Sequence, residues 1–194
     1  MWSRVFSLLL LSTLAAAQQT NPSPAAVAVS GVDDDFIHQQ FTASCSLDPK
    51  FTPTAADLNG DGVQDLVVVA RCKNALIDQD EKNYKVIDPM NSFFGYGNPK
   101  VTSAMGQEDP RLKGISLLVI HGAGPDAWRA KTPGYKFVVI NIDIKSVTVK
   151  KMKLNRKKSV LAIYVEEATG DQMTAAIYWD GKKYKYEPMG SSSE

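Results

Sequence analysis

The sequence is poor in the residues and motifs from which most catalytic centres are built. Its 194 residues include 2 histidines, His38 and His121, and 2 cysteines, Cys45 and Cys72. It has no G-x-S-x-G nucleophile elbow and no H-E-x-x-H zinc motif. Because no signature of an enzyme is present, we expect a non-enzymatic protein.

The chain also lacks an excess of either charge. It has 22 lysine and arginine residues against 21 aspartate and glutamate residues, and Arg4 is the only one of these within residues 1–17. Proteins that bind nucleic acids use a positive surface to contact the phosphates, and this balance gives no basis for such a surface. We expect a protein or glycan partner of unknown identity, and no nucleic acid.

Long hydrophobic runs are absent except near the N-terminus. Residues 6–14 are mainly apolar, follow Arg4 and precede three alanines at 15–17. The run is shorter than the roughly 20 residues that span a membrane. This pattern is typical of a signal peptide comprising residues 1–17, with a retained N-terminal anchor as the alternative. We therefore expect a secreted or periplasmic protein with no membrane span in the mature chain.

The remaining residues predict a linker followed by one domain. Residues 18–32 are rich in Gln, Pro, Ala and Ser, which favours a flexible linker. Residues 33–190 are predicted as a single β-rich domain, and residues 191–194 as a tail. The domain is expected to be mainly β, with an antiparallel sheet or two blade-like β units. Its predicted strands comprise residues 66–70, 115–120, 137–144, 147–149, 160–165, 174–179 and 184–186.

Local signals predict a short helix at the start of the domain and hairpins near its end. The aspartates at 33–35 suit a helix N-terminus, although they also suit a second cation site. Asp180-Gly181 predicts a two-residue turn that places Ile177 opposite Tyr184. Lys150–Lys158 is either the charged tip of a hairpin or a surface that binds anions.

Residues 73–113 have the least regular pattern and contain an aromatic cluster. A possible ligand surface comprises Phe93, Phe94, Tyr96, His121 and Trp128, although each of these also suits a protein core. His121 begins a His-Gly-Ala-Gly segment that resembles the oxyanion loop of lipases. The alternative function is therefore an envelope hydrolase with a site near His121 and the 73–113 loop.

The two cysteines lie on either side of the most specific motif in the chain. In an exported protein a disulfide between Cys45 and Cys72 is plausible, with two buried free thiols as the alternative. Such a bond would tie the segment before the motif to the strand that follows it.

That motif, residues 57–65, has the spacing of a calcium-binding loop. Calcium binds six to eight oxygen ligands, which a curled loop supplies from alternate residues. Gly60 and Gly62 permit the sharp curl. The predicted ligands are Asp57, Asn59, Asp61, the carbonyl of Val63, and Asp65.

An EF-hand would need a glutamate at the twelfth position, where this chain has Val68. The motif and the strand that follows it, residues 57–70, resemble the calcium loop of the FG-GAP and VCBS repeat families. The resemblance implies Ca²⁺ at this loop. Because the loop occurs once and a propeller needs about four or more blades, the resemblance does not imply a propeller.

Together these features predict an exported, calcium-stabilised, non-enzymatic binding or interaction module of unknown ligand. The expected fold is mainly β, with a short N-terminal helix and one calcium-type hairpin loop.

Overall fold

The computed structural model describes residues 25–73, 75–89, 114–168 and 173–191. The predicted signal peptide and the aromatic residues Phe93, Phe94 and Tyr96 lie outside these ranges. The strands are β1 (Val27–Ala28), β2 (Cys45–Leu47), β3 (Thr54–Ala56), β4 (Asp65–Cys72), β5 (Lys85–Ile87), β6 (Ile115–Ile120), β7 (Lys136–Val139), β8 (Ile144–Lys153), β9 (Ser159–Glu167), β10 (Met173–Trp179) and β11 (Tyr184–Ser191). The helices are α1 (Asp34–Gln40), α2 (Ala75–Lys82) and a 3₁₀ segment, Gly124–Arg129.

The strands form two sheets, which confirms the prediction of a mainly β fold. The central sheet has the order β1-β3-β4-β6-β7-β5, and β2 also pairs with β4. Its pairs are antiparallel except for β5 and β7, which are parallel. The second sheet is an antiparallel meander with the order β11-β10-β9-β8.

Both faces of the central sheet are buried, which explains the nearly unbroken apolar runs in β4 and β6. On one face Val67 and Val69 belong to the core that includes Ile163 and Ile177 of the meander sheet. On the other face Leu66, Val68 and Ala70 pack in a second core. That core also contains Ile37 and Phe41, from α1 and its C-terminal end, and Trp128. Successive side chains of a strand point to opposite faces, so a strand covered on both sides has no polar face.

Helix α1 begins where the aspartates predict. The Asp33 carboxylate accepts a hydrogen bond of 2.8 Å from the backbone N–H of Phe36, which is the geometry of an N-terminal cap. Before the helix, Val27 and Ala28 pair with β3. The chain is therefore paired, and not free, over these two residues of the predicted linker.

The chain crosses from the central sheet to the meander sheet within the segment that we predicted as one strand over 137–144. Strand β7 ends at Val139, and β8 begins at Ile144. Between them Asn141 adopts a positive φ of 54°, a conformation that asparagine tolerates better than most residues. Ile142 of the crossing is buried in one core and Ile140 is partly buried against the other, which is why the sequence of the crossing looks like a strand.

The Lys150–Lys158 run forms the end of β8 and the turn that leads to β9. The Leu154 N–H donates to the Lys158 carbonyl at 3.0 Å, which closes this turn. The next hairpin differs from its prediction. Trp179 lies opposite Tyr184 and Ile177 opposite Tyr186, so the connection has four residues and not two.

Cys45 and Cys72 form a disulfide, as predicted. They lie opposite each other in β2 and β4, with a sequence separation of 27 residues. Among the described residues, no helix is both long enough and apolar enough to cross a membrane.

Removal of this disulfide is expected to lower the free energy of unfolding by about 3.5 kcal/mol, since it releases a loop of that length in the unfolded chain. The comparison is urea denaturation of wild type and the double variant Cys45→Ala, Cys72→Ala. Wild type unfolded in a reducing agent serves as the control and should match the variant. A loss below about 1 kcal/mol would show that the bond does not constrain the unfolded state.

Candidate functional site

The calcium-type loop connects β3 to β4 at one end of the central sheet. Ala56 pairs with Asp65, so residues 57–64 form the loop of a β-hairpin, as predicted. Gly60 and Gly62 have φ values of 78° and 86°, which most side chains disfavour. The two glycines thus produce the curl that the sequence predicts.

Asp57 closes the loop from the inside. Its carboxylate accepts hydrogen bonds from the backbone N–H groups of Gly60 at 2.8 Å, Asp61 at 3.1 Å and Gly62 at 3.0 Å. The residue is 7% exposed. These bonds hold the backbone in its curled form, because a carboxylate here replaces the water that the N–H groups would otherwise bind.

Asn59 and Asp61 lie on the outer rim of the loop. The Asn59 amide donates to the Asp61 carboxylate at 2.8 Å, and its oxygen accepts from the Asp61 N–H at 2.9 Å. The other oxygen of the Asp61 carboxylate accepts from the Val63 N–H at 2.8 Å. Asp61 is exposed, so the rim presents oxygen atoms to solvent.

Asp65 is fully buried and connects the loop to a neighbouring segment. One carboxylate oxygen accepts from the backbone N–H groups of Leu58 at 2.8 Å and Asn59 at 3.3 Å. The other accepts from the Gly122 N–H at 2.9 Å. Burial raises the pKa of Asp65 to about 7, although the bonds from Gly122 and Leu58 lower it. Asp65 is therefore a brace between two loops, a role that its spacing in the motif did not predict.

The predicted calcium ligands thus belong to one curled loop, in which both carboxylate oxygens of Asp65 accept hydrogen bonds from backbone N–H groups. Their chemistry, three carboxylates, the Asn59 amide and the Val63 carbonyl, is the kind that calcium prefers. Within the described ranges, no three side chains of the His, Cys, Asp or Glu type converge as a ready metal centre. Two of the predicted ligands, Asn59 and the Val63 carbonyl, are not of these residue types. Calcium binding at this loop stays a prediction.

His121 is buried beneath the loop. It is 2% exposed, and its ring packs against Phe137 and Trp179 at centroid distances of 5.2 and 5.0 Å. Its Nε2 is 2.8 Å from the Tyr184 hydroxyl, and its Nδ1 is 3.5 Å from the Asn59 amide nitrogen. Burial lowers the pKa of His121 to about 4, although nearby acidic residues raise it.

These contacts concern His121, one of the two features on which the hydrolase alternative was based; most of the other, the 73–113 loop, lies outside the described residues. Within the described residues, neither ring nitrogen of His121 is hydrogen-bonded to a Ser, Asp or Glu side chain. A general base needs such access to the group that it deprotonates. His121 instead links the loop to the meander sheet through Tyr184.

The glycine after His121 is required by packing. A Cβ atom on Gly122 would lie 2.3 Å from the Gln64 carbonyl oxygen and 2.8 Å from a methyl group of Val63. Only glycine therefore lets the two loops approach each other. This contact accounts for Gly122 in the segment that we compared with a lipase oxyanion loop.

Trp128 is also buried and does not form part of a surface. It is 0% exposed, with Phe36 against it edge to face at 5.5 Å and the Arg129 guanidinium 3.8 Å from its ring centroid. Of the possible ligand surface, His121 and Trp128 are thus core residues, and the three other aromatic residues lie outside the described ranges.

A cleft of about 410 Å³ lies beside the loop. One wall consists of the loop itself, from Asp57 to Gly60. The opposite wall comes from the tips of the β8–β9 and β10–β11 hairpins of the meander and includes Lys151, Lys158 and Trp179. The sequence predicts each hairpin separately, but only the packing of the two sheets brings their tips to the calcium-type loop.

The loop, the buried His121 and the cleft form one continuous region at one end of the two packed sheets. Its parts come from the β3–β4 loop, from the residue after β6 and from the β8–β9 and β10–β11 hairpins. Comparison of the chain with models of protein families, with curated proteins and with solved structures finds no match.

Proposed function

We propose that the chain is an exported, non-enzymatic binding module whose fold is stabilised by calcium in the 57–65 loop. The observation that carries the proposal is the geometry of this loop, in which Asp57 and two glycines hold oxygen-bearing residues in a tight curl. Residues 1–17 support export to the periplasm or the medium.

Calcium would be held by the side chains of Asp57, Asn59, Asp61 and Asp65 and by the Val63 carbonyl. Three acidic residues within nine positions repel one another, and a bound cation offsets this repulsion. In the described parts of the chain, neither Asp61 nor Asp65 forms an ion pair with a lysine or arginine. At Asp61 and Asp65 the ion would therefore supply charge compensation that no lysine or arginine of the described residues supplies through an ion pair.

The position of the loop explains why its occupancy would affect the whole domain. Asp65 bonds to Gly122 after β6, and Asn59 contacts His121, which in turn contacts Tyr184 of the meander sheet. An ion that holds the loop rigid would therefore hold the contact between the two sheets. This arrangement supports a stabilising role for calcium and not a catalytic one.

The proposal predicts that calcium raises the melting temperature of the protein. A ligand at about 100 times its dissociation constant stabilises a fold by about 2.7 kcal/mol. For a domain of this size that corresponds to a rise of about 5–10 °C. Thermal unfolding followed by circular dichroism, in EGTA and in increasing calcium, measures the rise.

The matched variants for this experiment are Asp61→Ala and Asp80→Ala. Asp61 is an exposed ligand position, and Asp80 is an exposed acid on α2 far from the loop in sequence. The calcium-dependent rise should disappear in the first and persist in the second. Absence of a rise in wild type, or an equal rise in Asp61→Ala, would contradict the proposal.

A further inference from the structure

We propose that the cleft between the 57–60 wall and the tips of the meander hairpins binds an acidic saccharide. This inference rests on the proposed function in taking the domain to be a binding module, and it adds the place and the chemical class of the ligand. Its three elements are a cationic wall, an oxygen-rich wall and an aromatic side chain.

The cationic wall consists of Lys151 and Lys158. Lys151 is on β8, on the same side as Val147 and Val149, which are partly buried against the core, because successive side chains alternate. The strand extends beyond that core, so Lys151 lines the cleft and is exposed. In the described residues, neither Lys151 nor Lys158 is ion-paired with an acidic side chain. Two ammonium groups without such partners are suited to bind a carboxylate or a sulfate.

The opposite wall provides groups that bind hydroxyls. Asp57, Leu58, Asn59 and Gly60 line the cleft. Side-chain amide groups, such as that of Asn59, and backbone carbonyl groups are hydrogen-bond partners for sugar hydroxyls. A ligand with an anionic group on one side and hydroxyls on the other fits both walls. A simple anion would use only the lysines, and a neutral sugar only the loop.

Trp179 gives the cleft an apolar surface. It lines the cleft and is partly exposed, while His121 and Tyr184 pack against its ring at 5.0 and 5.3 Å. The ring is therefore held in place before a ligand arrives, which lowers the entropy cost of binding. The volume of about 410 Å³ is within the range of about 300–1,000 Å³ that is common for small-molecule sites.

The test measures binding of trigalacturonate, an acidic trisaccharide, by isothermal titration calorimetry. Maltotriose, a neutral trisaccharide, and inorganic sulfate are the comparison ligands. One variant carries Lys151→Gln and Lys158→Gln. The matched control carries Lys150→Gln and Lys157→Gln, which removes the same charge from the same hairpin. Neither control residue lines the cleft, and Lys150 lies over the Tyr164 ring at 4.3 Å instead.

Saturable binding of trigalacturonate is expected, with binding of both comparison ligands at least tenfold weaker. The Lys151 and Lys158 variant should weaken this binding at least tenfold, because each lost contact involves a charged donor. The control should retain it within about twofold. Equal weakening in both variants, equal binding of maltotriose or of sulfate, or no binding of trigalacturonate would overturn the inference.

The calcium-dependent melting shift, measured without saccharide, separates this inference from the proposed function. If trigalacturonate binds as expected in EGTA and calcium does not raise the melting temperature, saccharide binding in the cleft is supported and the calcium assignment fails. If calcium raises the melting temperature and trigalacturonate does not bind in the presence of calcium, saccharide binding in the cleft is contradicted and the calcium assignment is supported.

Discussion

Replacement of Asp65 by alanine is expected to lower the free energy of unfolding by about 3–5 kcal/mol. The Asp65 carboxylate, itself fully buried, accepts hydrogen bonds from the N–H groups of Leu58, Asn59 and Gly122. Alanine would leave these donors without an acceptor, at a cost of about 1–3 kcal/mol for each donor that stays buried. Urea denaturation in EGTA measures the loss independently of any bound ion.

Asp65→Asn is the matched variant for this prediction. Its amide oxygen can replace one carboxylate oxygen but not both, so we expect a smaller loss than in Asp65→Ala. A loss below about 1 kcal/mol in Asp65→Ala would contradict the role of Asp65 as a brace. Equal losses in both variants would show that the charge of the carboxylate, and not its acceptor positions, stabilises the contact.

Replacement of Gly122 by alanine is expected to lower the free energy of unfolding by about 3 kcal/mol. The new methyl group would overlap the Gln64 carbonyl and a Val63 methyl group, so one loop must move away from the other. Insertion of a methyl group into a packed interior costs about 1–3 kcal/mol, and an overlap with backbone belongs at the upper end of this range. Urea denaturation again gives the value.

Gly124→Ala is the control, because it changes a glycine two residues away in the same segment. A Cβ atom on Gly124 would have no other atom within 4 Å, and the residue has a φ of 61°. Alanine there therefore bears only the cost of a left-handed backbone, about 1–2 kcal/mol. The Gly122 variant should be clearly less stable than this control. If both variants lose the same stability, the close approach of the two loops is not what requires glycine.

Much of the fold can be predicted from local sequence signals, since these signals act within a few residues. The cap at Asp33 depends on a bond to a residue three positions later. The apolar runs of β4 and β6 predict a central position because a strand that is covered on both faces has no polar side. The curl of the 57–65 loop likewise follows from its own aspartates and glycines.

The contacts between distant segments could not be predicted in this way. The partner of Asp65, Gly122, is 57 residues away along the chain, and no local pattern records this distance. Alternation along the strands predicts the face of the sheet on which Trp179 and Tyr184 lie. Their direct pairing depends on a turn of four residues, where we predicted a turn of two residues. His121 and Trp128 are of residue types that often line ligand sites, and only the packing of the sheets shows that they are buried.

The cleft is the clearest case of a site that arises from packing alone. The lysine run predicted a hairpin tip or an anion-binding surface, and the calcium-type loop predicted a metal. The lysine run and the loop line one cleft because of how the meander sheet lies on the central sheet. That orientation is set by the side chains of the shared core. A single sequence holds no signal for it.

The most direct test of calcium at the 57–65 loop is a count of bound ions in the native protein. Native mass spectrometry of the protein after exchange into micromolar calcium is expected to show one calcium ion per chain in wild type and in Asp80→Ala. Asp61→Ala should show none. A wild-type protein that retains no calcium, or an Asp61→Ala variant that retains one ion per chain, would contradict the assignment of the loop.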